Sequence, residues 1–303
     1  MHFIWKNLPV FFICFIGASV LNNALHHISP PMTDVVSVSF FPLGIALILL
    51  WYALKNEDRW FSLKAYFAWV LVMTVIYCLP MTHGLLVPFE KDTQRIIYEL
   101  SALVEFIVLV LHGRTWLDRW GWIRIFGVTL VYGMILENGG IIMGVFSEPG
   151  YLFGVPFLRA PLATAIGWVN VMYCAFFASE RLLPGMHTVF KGGVCAIIGL
   201  SLDIPFDPVA TKLGWWVWNA SLDRFFIGVP VINFVAWFWA IFPYAAVYYW
   251  IKDRKDAGEA RKVMWLVGAI PGILLLELAG VMITLMVLGD KAGLMIFKEF
   301  IGL

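Results

Sequence analysis

The sequence predicts an all-α integral membrane protein, built as one bundle of about nine transmembrane helices. Of its 303 residues, 61% are apolar and only 14% are charged, whereas about a quarter of the residues in soluble domains are charged. Apolar stretches that approach the length needed to cross a bilayer, about 20 residues, recur along the chain. We therefore expect lipid to surround most of the surface, and residues 1–303 to form a single integral membrane domain.

Nine apolar segments define the predicted helices. They cover residues 8–28, 36–54, 65–83, 98–113, 123–147, 161–179, 189–206, 228–251 and 263–288. The short segment 98–113 and the glycine-rich segment 189–206 are candidates for partial spans, so eight spans are the alternative count. Residues 291–303 are expected to form a tail helix in the membrane interface. Lys6 precedes the first segment without a small-residue cleavage site after it, so an uncleaved first span is expected.

Basic residues are divided unequally between the two alternating sets of loops. One set holds fourteen of the 21 lysines and arginines, mostly at 55–64, 114–124 and 252–262, and the other set holds seven. Cytoplasmic loops of membrane proteins carry the excess of basic residues. We therefore expect a cytoplasmic N-terminus and location in a bacterial inner membrane. The net charge of +1 gives no strongly basic surface of the kind that binds nucleic acid.

Residues that commonly bind metals or cofactors form no recognisable motif. Cys14, Cys78, Cys174 and Cys195 stand singly in apolar segments, so we predict neither a disulfide nor a cysteine metal cluster. The six histidines lack the spacings of di-iron membrane hydroxylases. There is also no phosphate-binding loop and no dinucleotide fingerprint. The sequence therefore predicts a chemistry that uses no metal and no cofactor.

Three carboxylates fall well inside predicted helices, away from the helix ends, namely Glu105, Glu137 and Glu277. Charge inside a membrane is costly, so each is a functional hypothesis. The pattern is most specific around Glu137, because Gly133, Gly140 and Gly144 lie on the same face of its predicted helix. This face indicates either a small-residue groove that contains an acid, or close helix packing with Glu137 bonded to a neighbouring side chain.

Acids, amides and aromatic residues also gather in the loops and helix ends of the predicted outer half. They are Glu148 and Tyr151, Asp203 and Asp207, Trp216, Trp218 and Asn219, and Asn233 and Trp237. Asn233 and Trp237 are four residues apart and share a helix face. An interfacial aromatic belt would explain a single tryptophan here. The combination of carboxylates, amides and aromatic rings instead favours a binding site.

A short internal repeat precedes two of the helices. Gly154-Val155-Pro156 comes before the sixth segment and Gly228-Val229-Pro230 before the eighth, and a tryptophan, Trp168 or Trp237, follows each. Paired helical units are common in membrane proteins. The repeat indicates that these two helices are related units.

Five motifs within residues 130–250 form a recognisable set. They are Glu137-x-x-Gly140-x-x-x-Gly144, Pro149-Gly150-Tyr151, Asp207-Pro208, Gly214-Trp215-Trp216-x-Trp218, and Gly228-Val229-Pro230-x-x-Asn233-Phe234-x-x-Trp237. This set resembles the membrane carotenoid hydratase family. The resemblance implies an enzyme that adds water across the terminal double bond of an acyclic carotenoid or similar isoprenoid, giving a tertiary alcohol without a cofactor. Its partners would be the bilayer and that hydrophobic substrate.

Alkene hydration requires a proton donor, surroundings that tolerate a tertiary cation, and one water. A buried carboxylic acid stays protonated because desolvation disfavours its charged form, and aromatic faces attract cations. We expect Glu137 or Asp207 to be the acid, with the other carboxylate and Asn233 orienting water. Substrate contacts are expected from Tyr151, Trp216, Trp218, Asn219, Trp237, Gly140 and Gly144, and further polar groups are Asp203, Glu148 and Glu277.

Two other functions fit parts of the pattern. A membrane lycopene cyclase would share the first protonation and then quench the cation within the substrate. In such cyclases paired glutamates closely follow a Gly-x-Pro element, where this chain has Phe157-Leu158-Arg159 and Val231-Ile232-Asn233. A proton-coupled transporter or a lipid-binding membrane protein would use the intramembrane glutamates as a proton relay and form no product.

Overall fold

The structure, a computed structural model, describes residues 91–148, 151, 153–183, 185–226 and 228–302. The first three predicted spans, Cys14, Cys78 and the N-terminus with its expected orientation lie outside these residues. The described part is mostly helical, and its long helices correspond to the remaining six predicted spans and to the predicted tail helix.

Eight α-helices and one π-helical turn make up the described helical structure. They are α1 (Lys91–Gly113), α2 (Arg119–Trp122), the π turn (Ile123–Val128), α3 (Thr129–Ile142), α4 (Leu162–Leu182), α5 (Thr188–Leu213), α6 (Val231–Lys252), α7 (Glu259–Leu288) and α8 (Lys291–Ile301). The segment Arg119–Ile142, α6 and α7 are each long and apolar enough to cross a membrane. A mostly helical fold with helices that can cross a membrane is thereby confirmed for the described residues, and the count of nine spans stays a prediction.

The predicted segment 123–147 is wrong at its C-terminal end, because α3 stops at Ile142. Gly144 adopts a positive φ of 75°. The Val145 amide donates to the Gly140 carbonyl at 3.0 Å, and the Gly144 amide donates to the Ile141 carbonyl at 3.1 Å. These two bonds form a Schellman motif, which ends a helix at a left-handed glycine. Gly144 therefore lies in a turn and not on the helix face of Glu137.

The predicted segment 189–206 is too short, because α5 continues to Leu213. The polar and proline-rich residues 203–208 suggested an exit from the membrane, yet they lie within the helix. Asp203 and Asp207 are buried in the protein, and their spacing of four residues places them on one face of α5. Burial with a polar partner on α6 explains why acids occur this far along an apolar helix.

Helices α5 and α6 pack closely against each other. A β-carbon on Gly192 of α5 would lie 2.9 Å from the β-carbon of Ala246 on α6. In the core, the ring of Tyr132 stacks on that of Tyr244 with centroids 4.4 Å apart. The Tyr132 hydroxyl donates to the Ala240 carbonyl at 2.8 Å. This packing fixes α3, α5 and α6 relative to one another, and these three helices carry most of the candidate site.

Two short antiparallel β-strand pairs connect the loops at one end of the bundle. Strand β1 (Phe146–Ser147) pairs with β2 (Val217–Trp218), and β3 (Phe225–Phe226) pairs with β4 (Val229–Pro230). The first pair joins the loop after α3 to the loop after α5. The backbone amide of Asn219 reinforces this connection by donating to the Val145 carbonyl at 2.9 Å.

Ion pairs gather at the opposite end of the bundle. Arg124 Nη1 lies 2.6 Å from Glu259 Oε2. The other carboxyl oxygen of Glu259, Oε1, lies 2.8 Å from Lys262 Nζ. Glu180 pairs with Lys252 and, at 3.7 Å, with Lys191. We call this the basic end of the bundle. All four of its cations belong to the loops predicted to be cytoplasmic.

The tail helix α8 is amphipathic. Asp290 caps its N-terminus by accepting a hydrogen bond from the Gly293 amide at 2.9 Å. Ile296 and Phe297 are buried, while Met295 and Phe300 are about half exposed. A helix thus covers Lys291–Ile301 of the predicted tail 291–303, and its location in the membrane interface stays a prediction.

Candidate active site

Four carboxylates from three chain segments gather at the end of the bundle opposite the basic end. Glu137 lies on α3, Glu148 follows β1, and Asp203 and Asp207 lie on α5. Glu148 is near enough for its charge to interact with those of Glu137 and Asp207, and Asp203 interacts with Asp207 and Glu137. We call these four residues the carboxylate cluster. None forms an ion pair with a lysine or arginine in the described part of the chain.

Asn233 connects two members of this cluster. Its side-chain nitrogen donates to Oδ2 of Asp203 at 3.0 Å and also to Oδ2 of Asp207. Asp203 and Asp207 are 1% and 3% exposed, and Asn233 is 9% exposed. Since α5 and α6 pack along their length, one amide holds both aspartates in a fixed relation.

Glu137 is held by a tryptophan. The indole N–H of Trp168 on α4 donates to Oε1 of Glu137. The ring of Trp168 stacks on that of Trp237 from α6, with centroids 3.9 Å apart and planes inclined by 13°. Glu137 is therefore placed beside a double layer of indole rings, and the nearer indole is also its hydrogen-bond donor.

Glu148 lies in the loop after β1 and is only half-buried as a residue. One of its carboxyl oxygens, Oε2, is inaccessible to solvent and has no hydrogen-bond partner among the described residues. Burial, and then the negative charges of Glu137 and Asp207, raise the pKa of Glu148 well above its ordinary value. Glu148 is therefore the member of the carboxylate cluster that lies in a loop, whereas the other three lie on helices.

An aromatic group packs next to the carboxylate cluster. The Tyr151 hydroxyl donates to the Trp215 carbonyl at 2.7 Å, and the Trp218 indole donates to Thr211 Oγ1 at 2.8 Å. Trp216 is buried in the same group, which also contacts Ala210, three residues after Asp207. The sequence-predicted residues Tyr151, Trp216 and Trp218 therefore lie together in one aromatic group that reaches the C-terminal part of α5.

The glycines of α3 are packing positions. A β-carbon on Gly133 would lie 2.8 Å from the β-carbon of Trp168, and one on Gly140 would lie 2.5 Å from the Phe146 ring. Helix α4 and strand β1 therefore fill the space beside these two glycines. This close approach is what allows the Trp168 indole to reach Glu137.

Three residues named from the sequence are not brought to the carboxylate cluster. The Asn219 side chain donates to the Gly144 carbonyl at 2.7 Å and accepts from the amide of Ser221 at 2.9 Å, so it fastens two loops. Glu277 accepts a hydrogen bond from Tyr132 at 3.3 Å. Glu105 accepts one from Asn170 at 3.2 Å, on the face of α4 toward α1.

Trp168 is the main site residue that sequence reasoning did not select. The sequence could have indicated Trp168 if the internal repeat had been aligned on the prolines that directly precede the two helices. Helices α4 and α6 begin directly after Pro161 and Pro230, and a tryptophan follows each proline by seven residues. The repeat that includes Pro156 was therefore out of register, because Pro161 is the residue equivalent to Pro230. Glu99, which accepts from the Phe153 amide at 3.0 Å, was also not selected.

The arrangement can supply a proton, tolerate a positive charge and hold water. A family profile described as carotenoid biosynthesis protein matches residues 97–296, about two thirds of the chain. This chain belongs to the carotenoid biosynthesis protein family. Every residue of the carboxylate cluster, both stacked tryptophans and Asn233 fall inside the matched range. No curated protein and no solved structure matches the chain.

Membership in the carotenoid biosynthesis protein family gives the chain a role in carotenoid biosynthesis. It fits a hydrophobic isoprenoid substrate and agrees with the apolar helices that are long enough to span a membrane. Within the described ranges, no three histidine, cysteine, aspartate or glutamate side chains are arranged to hold a metal ion.

Proposed function

We propose that this protein is a hydratase that adds water to the terminal double bond of an acyclic carotenoid end. The observation that supports this most directly is the pairing of Glu137 with the Trp168 indole, beside the stacked ring of Trp237. An acid, a donor that stabilises its conjugate base, and aromatic faces are the groups that alkene protonation requires. The carboxylate cluster beside them provides acceptors for a water molecule.

Glu137 is the proton donor in this proposal. A carboxylic acid is a weak donor to carbon, so its conjugate base has to be stabilised as the proton leaves. The Trp168 N–H already contacts the carboxyl group, and a hydrogen bond to a charged acceptor is stronger than one to a neutral acceptor. The bond therefore strengthens as the negative charge develops, which lowers the barrier to protonation.

The proton goes to the less substituted alkene carbon, which leaves a tertiary cation on the carbon that bears two methyl groups. The π faces of Trp168 and Trp237 attract a cation without attacking it. Tyr151, Trp216 and Trp218 form a further aromatic surface nearby. These rings would hold the cation long enough for water to reach it.

Water then attacks the cation from the side of the aspartates. Asn233 and Asp207 orient the water, and a carboxylate accepts the proton that the water releases. One C–H and one C–O bond form while the π bond of the alkene and one O–H bond of water break, so no electron is transferred to or from another compound. The product is a tertiary alcohol.

The transporter alternative places the intramembrane glutamates in one relay. In the structure Glu105 bonds to Asn170 and Glu277 bonds to Tyr132, so neither is joined to Glu137 by a hydrogen bond. The contacts thus favour the carboxylate cluster, and not the three glutamates, as the functional unit. The cyclase alternative shares the Glu137 step and is separated by the product it forms.

The reaction can be tested with membranes that contain the protein, incubated with lycopene in water labelled with heavy oxygen and without molecular oxygen. We expect a product heavier than lycopene by one water, with the heavy oxygen on the carbon that bears the methyl groups. A cyclised isomer of unchanged mass would establish the cyclase, and a requirement for oxygen or a reductant would exclude hydration.

Glu137→Gln is the matching variant for this assay. Glutamine keeps the shape and can still accept from Trp168, but it has no acidic proton. General acid catalysis contributes about a hundredfold or more to a rate, so product formation should fall by at least about that factor. Normal turnover by a folded Glu137→Gln protein would assign Glu137 to packing.

A further inference from the structure

We propose that Asp203 and Asp207 act together as a paired base, which holds the attacking water and takes its proton, separately from the Glu137–Trp168 acid. The inference rests on the proposed hydration and adds a division of labour within the carboxylate cluster. It assigns Asp203 a direct part in the reaction, as a contact of the water.

The geometry of the pair is unusual for two acids in an apolar bundle. Asp203 and Asp207 lie on the same face of α5, and their carboxyl groups are within hydrogen-bond reach of each other. The single side-chain nitrogen of Asn233 contacts an oxygen of each. The two carboxyl groups therefore form one unit, supported by a neutral donor.

Two adjacent buried carboxyl groups are not both ionised, because the like charges repel each other and a neutral donor cannot balance them. The stable form carries one proton between the two groups and one negative charge in total. Such a pair titrates as a unit. It retains one basic position and can accept one more proton, which is what a general base for water requires.

A second observation indicates where water binds. Asp203 is 1% exposed, yet its Oδ1 atom has no hydrogen-bond partner among the described residues. Buried polar atoms are generally hydrogen-bonded, to protein or to ordered water. Asp203 also interacts electrostatically with Glu137, so the pair lies near the acid within the carboxylate cluster. A water held by Oδ1 of Asp203 would therefore be close to the cation that Glu137 forms.

The proton balance closes with this assignment. Glu137 loses a proton to the alkene carbon and becomes a carboxylate that Trp168 stabilises. Water adds to the cation and transfers a proton to the Asp203–Asp207 pair, which becomes neutral. The pair then returns that proton to Glu137, directly or through the next water, and both groups regain their starting forms.

Separate acid and base groups predict a partial reaction. If the water is not held, the cation loses a proton from carbon and returns to the alkene. In deuterium oxide Glu137 carries a deuteron, and the cation can return to the Glu137 carboxylate either that deuteron or an original hydrogen of the substrate. Each abortive cycle that removes an original hydrogen leaves deuterium on the recovered substrate. A variant of the base should therefore exchange hydrogen without hydrating, whereas a variant of the acid should do neither.

The test uses the full-length protein in membranes, with lycopene in deuterium oxide and mass spectrometry of both product and recovered lycopene. Asp203→Asn should lower hydration by about a hundredfold while recovered lycopene gains deuterium. Glu137→Gln should abolish both signals. Asp223→Asn, the same change at an exposed loop residue, should behave as the unchanged protein.

Asp207→Asn is the second variant of the pair, for use if Asp203→Asn is not recovered folded, and the same pattern is expected from it. Full hydration by a folded Asp203→Asn protein would overturn the proposal, and so would loss of both hydration and exchange in that variant. Deuterium exchange by Glu137→Gln would overturn the separation of acid and base. If the unchanged protein neither hydrates nor exchanges, the proposed function itself fails.

Discussion

Trp168 combines two roles in one side chain. Its N–H donates to Glu137 and its ring stacks on Trp237. A phenylalanine at either tryptophan position keeps an aromatic face, but only the change at Trp168 removes the hydrogen bond. The two positions therefore form a matched pair for separating donation from stacking.

We expect Trp168→Phe to lower the hydration rate more than Trp237→Phe does. The difference between the two rate losses measures the hydrogen bond from Trp168 to the developing carboxylate. A hydrogen bond to a charged group contributes about 1.5–3 kcal/mol. This free energy corresponds to a rate factor of about ten to a hundred. Turnover of lycopene per folded protein in membranes is the measurement. Equal losses in the two variants would show that the bond has no part in the reaction.

Glu148 gives a prediction about stability and pH. In the folded protein its pKa lies well above the ordinary value of 4.5. The folded state therefore binds more protons than the unfolded chain as pH rises above 4.5, so the free energy of unfolding decreases in that range. Glu148→Gln removes this decrease, and the variant should be the more stable protein at neutral pH but not below pH 4.5.

Thermal unfolding in detergent over a pH series would measure this difference. Glu299→Gln is the control, because it makes the same chemical change at an exposed glutamate of α8. A stability difference between Glu148→Gln and the unchanged protein that does not vary with pH would contradict the prediction.

At the scale of elements, the contact between α3 and α4 positions the acid. Gly133 has no room for a side chain, because an added β-carbon would meet Trp168 and, at 3.1 Å, the Ala165 carbonyl. Gly139 lies on the same helix, and a β-carbon there meets no atom within 4 Å. The two glycines therefore differ in packing while sharing the helix.

We predict that Gly133→Ala destabilises the protein by about 1–3 kcal/mol, the usual cost of overpacking, and that it also lowers turnover, because α4 and Trp168 must move away from Glu137. Gly139→Ala should be neutral or slightly stabilising, since alanine favours helix over glycine. Melting temperature and turnover together provide the test. Equal behaviour of the two variants would mean that the α3–α4 contact is not tight.

Several elements could be predicted from the sequence because apolar length and composition largely decide where a membrane helix lies. Helices α4, α6 and α7 follow their predicted segments within a few residues. The segment 189–206 was predicted too short because its polar residues are buried against a partner helix. Nothing in residues 203–208 reveals that Asn233 of a later helix supplies the hydrogen bonds.

The sequence predicted which residues form the candidate site better than it predicted the contacts between them. Glu137, Asp207 and Asn233 were selected from pattern and resemblance, and the structure brings them together. Asn219 was expected to contact substrate, and the sequence could not reveal its bond to the Gly144 carbonyl, because that bond depends on how two distant loops meet. The Trp168 bond likewise depends on the packing of α4 against α3.

At the scale of the whole molecule, the part of the chain that the structure describes has paired cations at one end of the bundle and the carboxylate cluster at the other. Arg124, Lys191, Lys252 and Lys262 lie at the basic end, and the carboxylate cluster lies at the other. Helix α6 connects the ends, with Asn233 in its first turn and Lys252 at its last position. Its 22 residues span about 33 Å, which is the thickness of a hydrocarbon core.

This division predicts the orientation in the membrane. The basic end should be cytoplasmic, because basic loops are retained on that side. A cysteine in place of exposed Asp256 should be labelled by an impermeant reagent only after cells are opened, and one in place of exposed Ser221 should be labelled in intact cells. The reverse pattern would place the carboxylate cluster on the cytoplasmic side.

The depth of Glu137 has an electrical consequence. Glu137 lies five residues before the end of α3, or about 8 Å along the helix axis, so a proton that reaches it from the nearer side crosses only a small part of the transmembrane field. Moving a unit charge across all of a 100 mV potential requires about 2.3 kcal/mol of electrical work. A proton that enters and leaves the site from the same side, and crosses only a small part of the field, requires little of that work. Hydration should therefore proceed at the same rate in vesicles after an ionophore has collapsed the potential, whereas proton-coupled transport would stop.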